Sequence, residues 1–368
     1  MKKFEIFLVA PPGLEKALVE EVREAGFAKP KMMPGGVRFR GNWRDVWRAN
    51  LELRGAVRVL ARLGGFSAMS LGALEKRAVD FPWLQVLRRD VPVRVEVVSQ
   101  KSKIYHQGAA AERIERAISE ELGAPTGPEG EITLKVRIED NLCTLSIDTS
   151  GESLHKRGHK IYTGKAPIRE SLAALFLRQC GFDGSEPVVD PMCGSGTFVL
   201  EAAEMAAGLQ PGRDRDFAFQ KLASFDAAAW DAMKARATTA ATDVRFYGSD
   251  RDAGAITSST ANAKRAGVAE LTRFEKKAVS EITPPDGPPG LVMVNPPYGA
   301  RIGNKKLLFG LYGSLGKTLM AQFSGWRVGI VTSDGGLARA TGLPFRPPAP
   351  PVAFGGLKVT LFQTDPLP

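Results

Sequence analysis

From residue 166 onward, short apolar segments typical of buried strands alternate with segments of helical periodicity. The predicted helices cover residues 169–180, 197–207, 252–266 and 306–323, and the predicted strands cover residues 188–190, 246–250, 272–276, 291–295 and 328–332. Because strand–helix alternation folds into a parallel sheet with helices on both faces, this half is predicted to be an α/β domain. Residues 358–363 alternate in polarity and predict a last, antiparallel strand.

Residues 1–152 follow a different pattern, in which shorter strands and helices predict two small α+β units that divide near residue 65. In the second unit, residues 132–138 and 142–147 predict a hairpin, with Asp140 and Asn141 as its turn. Residues 153–165 are polar, basic and contain glycine, so they are predicted to be a linker into the α/β domain.

The charge of the chain favours a polyanionic partner. The net charge is +10, and residues 1–165 contribute most of it, with 28 Lys and Arg against 21 Asp and Glu. The three cysteines have no short spacing, which predicts neither a disulfide framework nor, with only three histidines, a metal site. No apolar run is long enough to cross a membrane and no signal peptide is recognisable, so a cytoplasmic protein is expected.

The predicted strand at residues 188–190 leads into a turn of small residues that opens the next predicted helix. Glycines let a backbone approach a ligand closely, and open α/β sheets bind ligands at the carboxyl ends of their strands. No Gly-Lys-Ser/Thr follows, which excludes a P-loop, and Val199 replaces the third glycine of the dinucleotide fingerprint. The residues predicted to bind a cofactor here are Asp190, Pro191, Cys193, Gly194, Ser195, Gly196 and Thr197.

Asp250 ends the following predicted strand, at the position where an acidic side chain commonly hydrogen-bonds ribose hydroxyls. Asp250 and the adjacent Arg251 are therefore predicted to bind the cofactor, and Asp250 can also help to cap the helix after it. Together with the glycine turn, this indicates a cofactor that contains a nucleoside.

A third motif, Asn295-Pro296-Pro297-Tyr298, ends the apolar strand at residues 291–295. It resembles the active-site motif of class I amino-methyltransferases, which transfer a methyl group from S-adenosyl-L-methionine to adenine N6, guanine N2 or cytosine N4. In such a site the Asn295 side-chain oxygen and the Pro296 carbonyl would accept the two amine N–H groups and direct the nitrogen lone pair towards the methyl group. All four residues are predicted to be catalytic, with Tyr298 stacking on the base and Asn295 also next to the cofactor.

Several longer segments resemble the bacterial THUMP-containing guanine-N2 methyltransferases, most nearly those that act on 23S rRNA. The matching segments are residues 13–15, 35–41, 153–159, 166–173, 190–197, 247–250 and 295–301. The resemblance implies a ferredoxin-like domain at residues 1–65, a THUMP RNA-binding domain at 66–152, a linker at 153–165 and a Rossmann-like methyltransferase domain with a mostly parallel seven-stranded sheet at 166–368.

The resemblance also implies roles for individual residues. Pro167 and Ile168 would lie against the cofactor, while Ala278 stands where family members often carry an aspartate near the adenine amine. A side-chain contact to adenine is therefore not expected at Ala278.

RNA contacts are predicted mainly around residues 100–106, where cationic side chains flank an aromatic ring. Lys and Arg neutralise phosphates, and aromatic rings stack on unpaired bases. The predicted RNA-binding residues are Lys101, Lys103, Tyr105, His106, Arg113 and Arg157.

The function predicted from these observations is S-adenosyl-L-methionine-dependent formation of N2-methylguanosine, with 23S rRNA the favoured substrate and tRNA an alternative. Two readings from other classes remain open. One is a DNA N6-adenine or N4-cytosine methyltransferase, although no separate DNA-recognition segment is visible. The other is a non-catalytic RNA-binding assembly factor, which the intact motifs at residues 190–196 and 295–298 disfavour. No protein partner can be identified from the sequence.

Overall fold

The structure is a computed structural model that describes residues 3–161, 168–237, 239–298 and 305–368. The chain forms two compact units. Unit 1 contains the described residues up to Ala10 together with Val19–Leu154 and Arg215–Arg236, and unit 2 contains Pro11–Leu18, His155–Asp214 and the described residues from Ala237 to Pro368. Among the described residues, no helix combines the length and apolar character needed to cross a bilayer.

A single seven-stranded sheet, in the order β2-β3-β1-β4-β7-β6-β5, runs through unit 1. Its strands are β1 (Phe4–Val9), β2 (Lys31–Met33), β3 (Gly36–Gly41), β4 (Arg58–Ser67), β5 (Val93–Gln100), β6 (Ile132–Glu139) and β7 (Leu142–Asp148). The helices of this part of the chain are α1 (Glu15–Glu24), α2 (Trp43–Glu52), α3 (Leu71–Val79) and α4 (Gln107–Leu122). Antiparallel pairing of β4 with β7 joins the strands of the two predicted α+β units into one sheet.

The hairpin predicted at residues 132–147 is confirmed, because β6 and β7 pair antiparallel. Asp140 and Asn141 form its turn with φ angles of 49° and 63°. Two consecutive left-handed residues match the right-handed twist of a hairpin, and Asp and Asn tolerate this conformation better than most residues.

Residues 215–236 belong to unit 1, although the sequence places them inside the predicted methyltransferase domain. Arg215 donates hydrogen bonds to the carbonyl oxygens of Ser153 and Glu152, at 3.0 and 2.8 Å. The buried ring of Phe219 stacks on Trp47 at a centroid distance of 5.9 Å. This aromatic segment, which includes α7 (Ala227–Lys234), therefore fills part of the core of unit 1. The contact pattern thus departs from the predicted domain boundaries here and at Pro11–Leu18, which belongs to unit 2.

Unit 2 contains the predicted Rossmann-like sheet, in the order β10-β9-β8-β11-β12-β14-β13. Its strands are β8 (Val188–Asp190), β9 (Phe246–Asp250), β10 (Thr272–Lys276), β11 (Leu291–Val294), β12 (Arg327–Thr332), β13 (Val352–Phe354) and β14 (Leu357–Gln363). Its helices include α5 (Glu170–Gln179), α6 (Thr197–Ala206), α8 (Ala253–Ala266), α9 (Lys305–Gln322) and α10 (Gly335–Ala340). The fold class is confirmed: β8 to β12 pair in parallel, and β14 pairs antiparallel with β12 as predicted.

The core of unit 2 explains why its strands are continuously apolar. All four residues of β11 are fully buried, as expected for a parallel strand covered on both faces. On one face, Tyr312, Leu315 and Leu319 of α9 pack into a hydrophobic cluster with Val292 and other side chains of the sheet. The short elements β2, β13 and α10 were not predicted, because three to six residues carry too little periodicity to be recognised.

We expect Phe219→Ala to destabilise unit 1 by about 3–5 kcal/mol, because it removes a buried ring from an aromatic cluster and leaves a cavity. The free energy of unfolding can be measured by chemical denaturation, followed by the fluorescence of Trp47 and Trp230, which both contact this ring. Leu84→Ala is the control, since Leu84 is 60% exposed in the same unit and its truncation should cost less than about 0.5 kcal/mol. Equal effects of the two substitutions would contradict this account.

Candidate active site

The site lies at the carboxyl edge of the sheet in unit 2, where the strand order reverses. β8 lies between β9 on one side and β11 on the other, so the connections that leave β8 and β11 diverge and open a crevice between them. Open α/β sheets bind ligands at this kind of switch point. The glycine turn follows β8, Asp250 ends β9, and Asn295 follows β11, so the three predicted motifs converge on one edge.

Backbone hydrogen bonds and the side chain of Asp250 fix the conformation of the turn after β8. Gly194 and Gly196 adopt left-handed φ angles of 53° and 84°, which other residues adopt only with strain. Gly194 N donates to Asp250 Oδ2 at 3.0 Å, and Cys193 N donates to the carbonyl oxygen of Ser249 at 2.9 Å. A Cβ atom on Gly196 would come within 3.0–3.3 Å of Ser259 and Phe274, so this position needs glycine for space as well.

Asn262, which was not predicted from the sequence, stabilises the turn through a hydrogen bond. Asn262, fully buried in α8, donates from Nδ2 to the carbonyl oxygen of Ser195 at 3.1 Å. Arg265 in turn donates to Asn262 Oδ1 and, at 2.7 Å, to the carbonyl oxygen of His159. The only sequence signal was a polar residue on the buried face of an otherwise small-residue helix, and that signal does not identify its partner.

A cavity of about 740 Å³ opens beside the turn. Gly194, Ser195 and Asp250 line it, with Asp252 and several small residues of α8. Asp250 Oδ1 accepts from Asp252 N at 2.9 Å, and Asp250 lines the cavity. The predicted capping role of Asp250 is wrong, because the N-cap of α8 is Asp252, whose side chain accepts from Gly254 N at 2.9 Å. The cavity is large enough for a nucleoside cofactor and has the backbone and carboxylate groups that such a ligand needs.

The other predicted cofactor residues have different positions. Pro191, Cys193 and Gly196 are buried within the turn, Thr197 is buried at the start of α6, and Ile168 is buried in unit 2. Arg251 is exposed and is not among the residues that line the cavity. Pro167 lies outside the described residues.

Asp190, at the end of β8, is fully buried, and its Oδ1 accepts from Met192 N at 3.0 Å. Burial raises the pKa of this carboxyl to about 8, and the nearby Asp250 carboxylate adds to the rise. Asp190 therefore keeps its proton in the folded protein over a pH range in which an exposed aspartate is ionised.

The Asn295-Pro296-Pro297-Tyr298 motif leaves two buried polar atoms without a partner among the described residues. They are Asn295 Oδ1 and the Tyr298 hydroxyl. Burial raises the pKa of Tyr298 to about 12, and the ring packs against the cluster that contains Tyr312. A buried acceptor without a donor costs free energy unless a water molecule or a ligand supplies the missing hydrogen bond.

Two basic residues of the linker, Arg157 and Lys160, have buried side chains, whereas Lys156 is exposed. The Arg157 side chain is 1% exposed, and its Nε lies 3.1 Å from Glu201 Oε1. Lys160 Nζ contacts Glu170 Oε1 at 3.1 Å and donates to Thr197 Oγ1 at 2.8 Å. The structure thus corrects the predicted RNA contact of Arg157, because a buried, paired guanidinium cannot reach a phosphate. Lys160 instead joins the linker to the first residue of α6.

The remaining predicted RNA residues lie in unit 1. Lys101, Lys103, Tyr105 and His106 are all exposed, Tyr105 by 72%, and the Tyr105 and His106 rings lie 4.3 Å apart. We call these four residues the basic aromatic patch. Its loop is fixed by Lys103 N, which donates to Asn141 Oδ1 at 2.9 Å. Arg113 is partly exposed and pairs with Glu75 at 2.7 Å.

The family assignment rests on a family model that covers the whole site. Residues 157–344 match the RMKL-like methyltransferase domain, and residues 5–60 match the ferredoxin-like domain of RlmL proteins. The chain belongs to this family. Its cofactor is accordingly S-adenosyl-L-methionine.

Known proteins agree with this assignment. The ribosomal RNA large subunit methyltransferase K/L of Marinobacter nauticus is 33% identical over 364 residues, which cover 93% of this chain and 50% of the relative. The chain therefore spans about half the length of the curated relatives it matches.

Two solved structures share the fold of the whole chain. A possible methylase from Clostridium difficile 630 is 28% identical, with a TM-score of 0.89, and 100% of this chain and 99% of that one are covered. SMU.472, a putative methyltransferase complexed with SAH, is 27% identical, with a TM-score of 0.87 and the same coverage of both chains.

The raised pKa of Asp190 predicts a pH-dependent stability. The unfolded chain releases this proton near pH 4 and the folded chain near pH 8, so the folded state binds more protons between these values. The contribution of Asp190 to the free energy of unfolding therefore falls as the pH rises from about 4 to 8. Asp190→Asn cannot ionise, and its stability relative to wild type should increase across this window and level off above it.

Denaturation curves at several pH values test this expectation. Asp183→Asn is the control, because hydrogen bonds from Ser185 lower the pKa of Asp183, and its difference from wild type should stay flat above about pH 5. An Asp190→Asn difference that does not change between pH 4 and 8 would contradict the raised pKa.

Proposed function

We propose that the chain methylates the exocyclic N2 amine of a guanine in RNA, with 23S rRNA the favoured substrate and S-adenosyl-L-methionine the methyl donor. The observation that carries the proposal is Asn295 Oδ1, a buried acceptor directly after β11 that has no hydrogen-bond partner among the described residues. It lies across the switch point from the turn that lines the cofactor cavity. This acceptor is suited to an amine N–H, which would restore its missing hydrogen bond.

The chemistry needs positioning more than a strong base. An aromatic exocyclic amine is a weak nucleophile because its lone pair is delocalised into the ring. When bound, the cofactor supplies a methyl group already activated by a sulfonium. Asn295 Oδ1 and the Pro296 carbonyl hold the two N–H groups, which directs the lone pair and stabilises the positive charge that develops on nitrogen. Positioning of this kind can contribute about 7–11 kcal/mol to the lowering of the barrier.

Three observations support RNA as the substrate and guanine as the methylated base. The curated relative from Marinobacter nauticus is named as a ribosomal RNA large subunit methyltransferase. Unit 1 carries the basic aromatic patch, which combines phosphate-binding and base-stacking side chains in the region of the predicted THUMP domain. The segments at residues 153–159 and 166–173 resemble guanine-N2 enzymes in particular. A tRNA guanine is the nearest alternative, and DNA adenine is a more distant one.

We expect Asn295→Ala to lower methyl transfer by at least about 100-fold while changing the affinity for S-adenosyl-L-homocysteine by less than threefold. Removal of one preorganised hydrogen-bonding group from a transition state typically costs a factor of about 10²–10³ in rate. Purified protein, labelled cofactor and ribosomal RNA give the rate, and calorimetry gives the affinity. Turnover like that of wild type would contradict the role of Asn295.

The identity of the product decides the proposed function. After reaction of the wild-type protein with ribosomal RNA, tRNA and DNA in parallel, nucleoside mass spectrometry should find N2-methylguanosine, with the highest yield in 23S rRNA. N6-methyladenine would instead favour the adenine alternative. Cofactor binding without transfer to any nucleic acid would favour the assembly factor.

We expect Tyr105→Ala to weaken the binding of ribosomal RNA by about 5- to 100-fold, because stacking of a base on an aromatic ring contributes about 1–3 kcal/mol. The dissociation constant can be measured by fluorescence anisotropy at a fixed salt concentration. Leu84→Ala removes another exposed apolar side chain of unit 1 and serves as the control. If both variants bind RNA like wild type, the basic aromatic patch is not the RNA-binding surface.

A further inference from the structure

β12 ends beside the Asn295-Pro296-Pro297-Tyr298 motif. The two strands pair in parallel, with Val294 opposite Ile330, so both end at the same edge of the sheet, and β12 extends two residues further, to Thr332. The first residues after β12 are Ser333 and Asp334. Neighbouring parallel strands lie about 4.8 Å apart, so Asp334 follows a strand end adjacent to the proposed acceptor base.

Asp334 and Tyr298 of the motif both lie near Tyr312. Thr332 Oγ1 accepts from the Tyr312 hydroxyl at 3.2 Å and from Asp334 N at 3.3 Å. Tyr298 packs against the hydrophobic cluster that contains Tyr312. Asp334 and the acceptor motif therefore both lie near Tyr312 in unit 2, and burial, with added contributions from Tyr298 and Asp334, raises the pKa of Tyr312.

The two oxygens of the Asp334 carboxylate differ in the hydrogen bonds that they accept. Oδ1 accepts from Gly336 N at 2.8 Å and more weakly from Leu337 N at 3.4 Å, which caps α10. No partner is recorded for Oδ2 among the described residues, and Asp334 is only half-buried. A carboxylate has about four lone-pair directions, so Oδ2 retains its full capacity to accept hydrogen bonds.

We infer that Asp334 is the residue that selects guanine, by accepting the N1–H of the base at Oδ2 while Asn295 and Pro296 hold its N2 amine. This inference rests on the proposed function and adds the source of its base specificity. On the guanine ring N1–H is the donor next to the N2 amine. An acceptor that follows the strand next to Asn295, as Asp334 follows β12, would meet N1–H when Asn295 meets the amine.

The same geometry rejects adenine. If the N6 amine of adenine occupied the position at Asn295, the ring nitrogen next to it would be N1, which carries a lone pair and no proton. The Asp334 carboxylate would then face a second acceptor and lose its solvation without gaining a hydrogen bond. Sites built to hydrogen-bond a substrate group reject analogues that lack it, because the buried polar atom is left unpaired.

A purely structural role for Asp334, as the cap of α10, predicts different behaviour from a recognition role. Asn and Asp cap helices about equally well, so Asp334→Asn preserves the cap. The backbone donors of Gly336 and Leu337 keep the side-chain oxygen at the Oδ1 position, which directs the new NH₂ group towards the position of Oδ2. The substitution thus replaces an acceptor by a donor at one atom and changes little else.

The first test compares Asp334→Asn with wild type on the RNA in which N2-methylguanosine is found. We expect kcat/KM for guanine to fall by about 10- to 100-fold, as for loss of a hydrogen bond to a charged group. The melting temperature and the affinity for S-adenosyl-L-homocysteine should remain those of wild type. Asp226→Asn is the matched control, because Asp226 caps α7 in unit 1 through Ala229 N, and its replacement should leave kcat/KM unchanged.

The second test exchanges the donor on the base. A synthetic RNA carries 2,6-diaminopurine instead of the target guanine, which keeps the N2 amine and turns N1 into an acceptor. The wild-type protein should prefer guanine over this analogue by at least about 10-fold in kcat/KM. Asp334→Asn should reduce or reverse the preference, because its amide can donate to N1.

The possible results separate this inference from the proposed function. Unchanged kcat/KM and an unchanged guanine preference in Asp334→Asn would overturn the role of Asp334 and leave guanine-N2 methylation intact. A lowered kcat/KM without any change in base preference would show a positioning effect and would also overturn base selection by Asp334. Failure of the wild-type protein to form N2-methylguanosine in any RNA would overturn both.

Discussion

The reversal of strand order between β8 and β11 is the constraint on which the site depends. It opens the carboxyl edge of the sheet and separates two sets of groups. β8 and β9 present the glycine turn and Asp250, which line the cofactor cavity, while β11 and β12 present Asn295 and Asp334. The hydrogen bond from Gly194 N to Asp250 Oδ2 ties the first set together across two strands. A methyl donor and its acceptor can therefore meet over the switch point without either group crossing the sheet.

Much of unit 2 could be predicted because its signals are local. Apolar strands, helical periodicity and a glycine turn depend on neighbours in the sequence, and strand–helix alternation predicts the parallel pairing of β8–β12. The three motifs were placed at the correct edge for the same reason. Asp250 ends β9 and Asn295 directly follows β11 at this edge. The order of β8–β12 in the sheet was not predicted.

The features that could not be predicted all depend on distant partners. Arg157 lies in a basic linker whose composition suggests RNA binding, but its side chain is buried and forms an ion pair with Glu201 on α6. The aromatic residues of 215–236 look like an insertion within the methyltransferase domain, yet Trp47 receives Phe219 in unit 1. In both cases the residue type was visible in the sequence, but the role of the side chain is set by a partner more than 40 residues away, which the sequence does not identify. A role for Asp334 could not be predicted from the sequence, because an aspartate that caps a short helix looks the same whether or not it also contacts a substrate.

The most direct test of the central claim is a structure of the protein with S-adenosyl-L-homocysteine and an RNA that carries the target nucleotide. The account predicts a guanine whose N2 lies within about 2.7–3.2 Å of Asn295 Oδ1, faces the sulfur of the bound cofactor product and has its N1 towards Asp334. A base held away from Asn295, or an amine directed away from the sulfur, would contradict it.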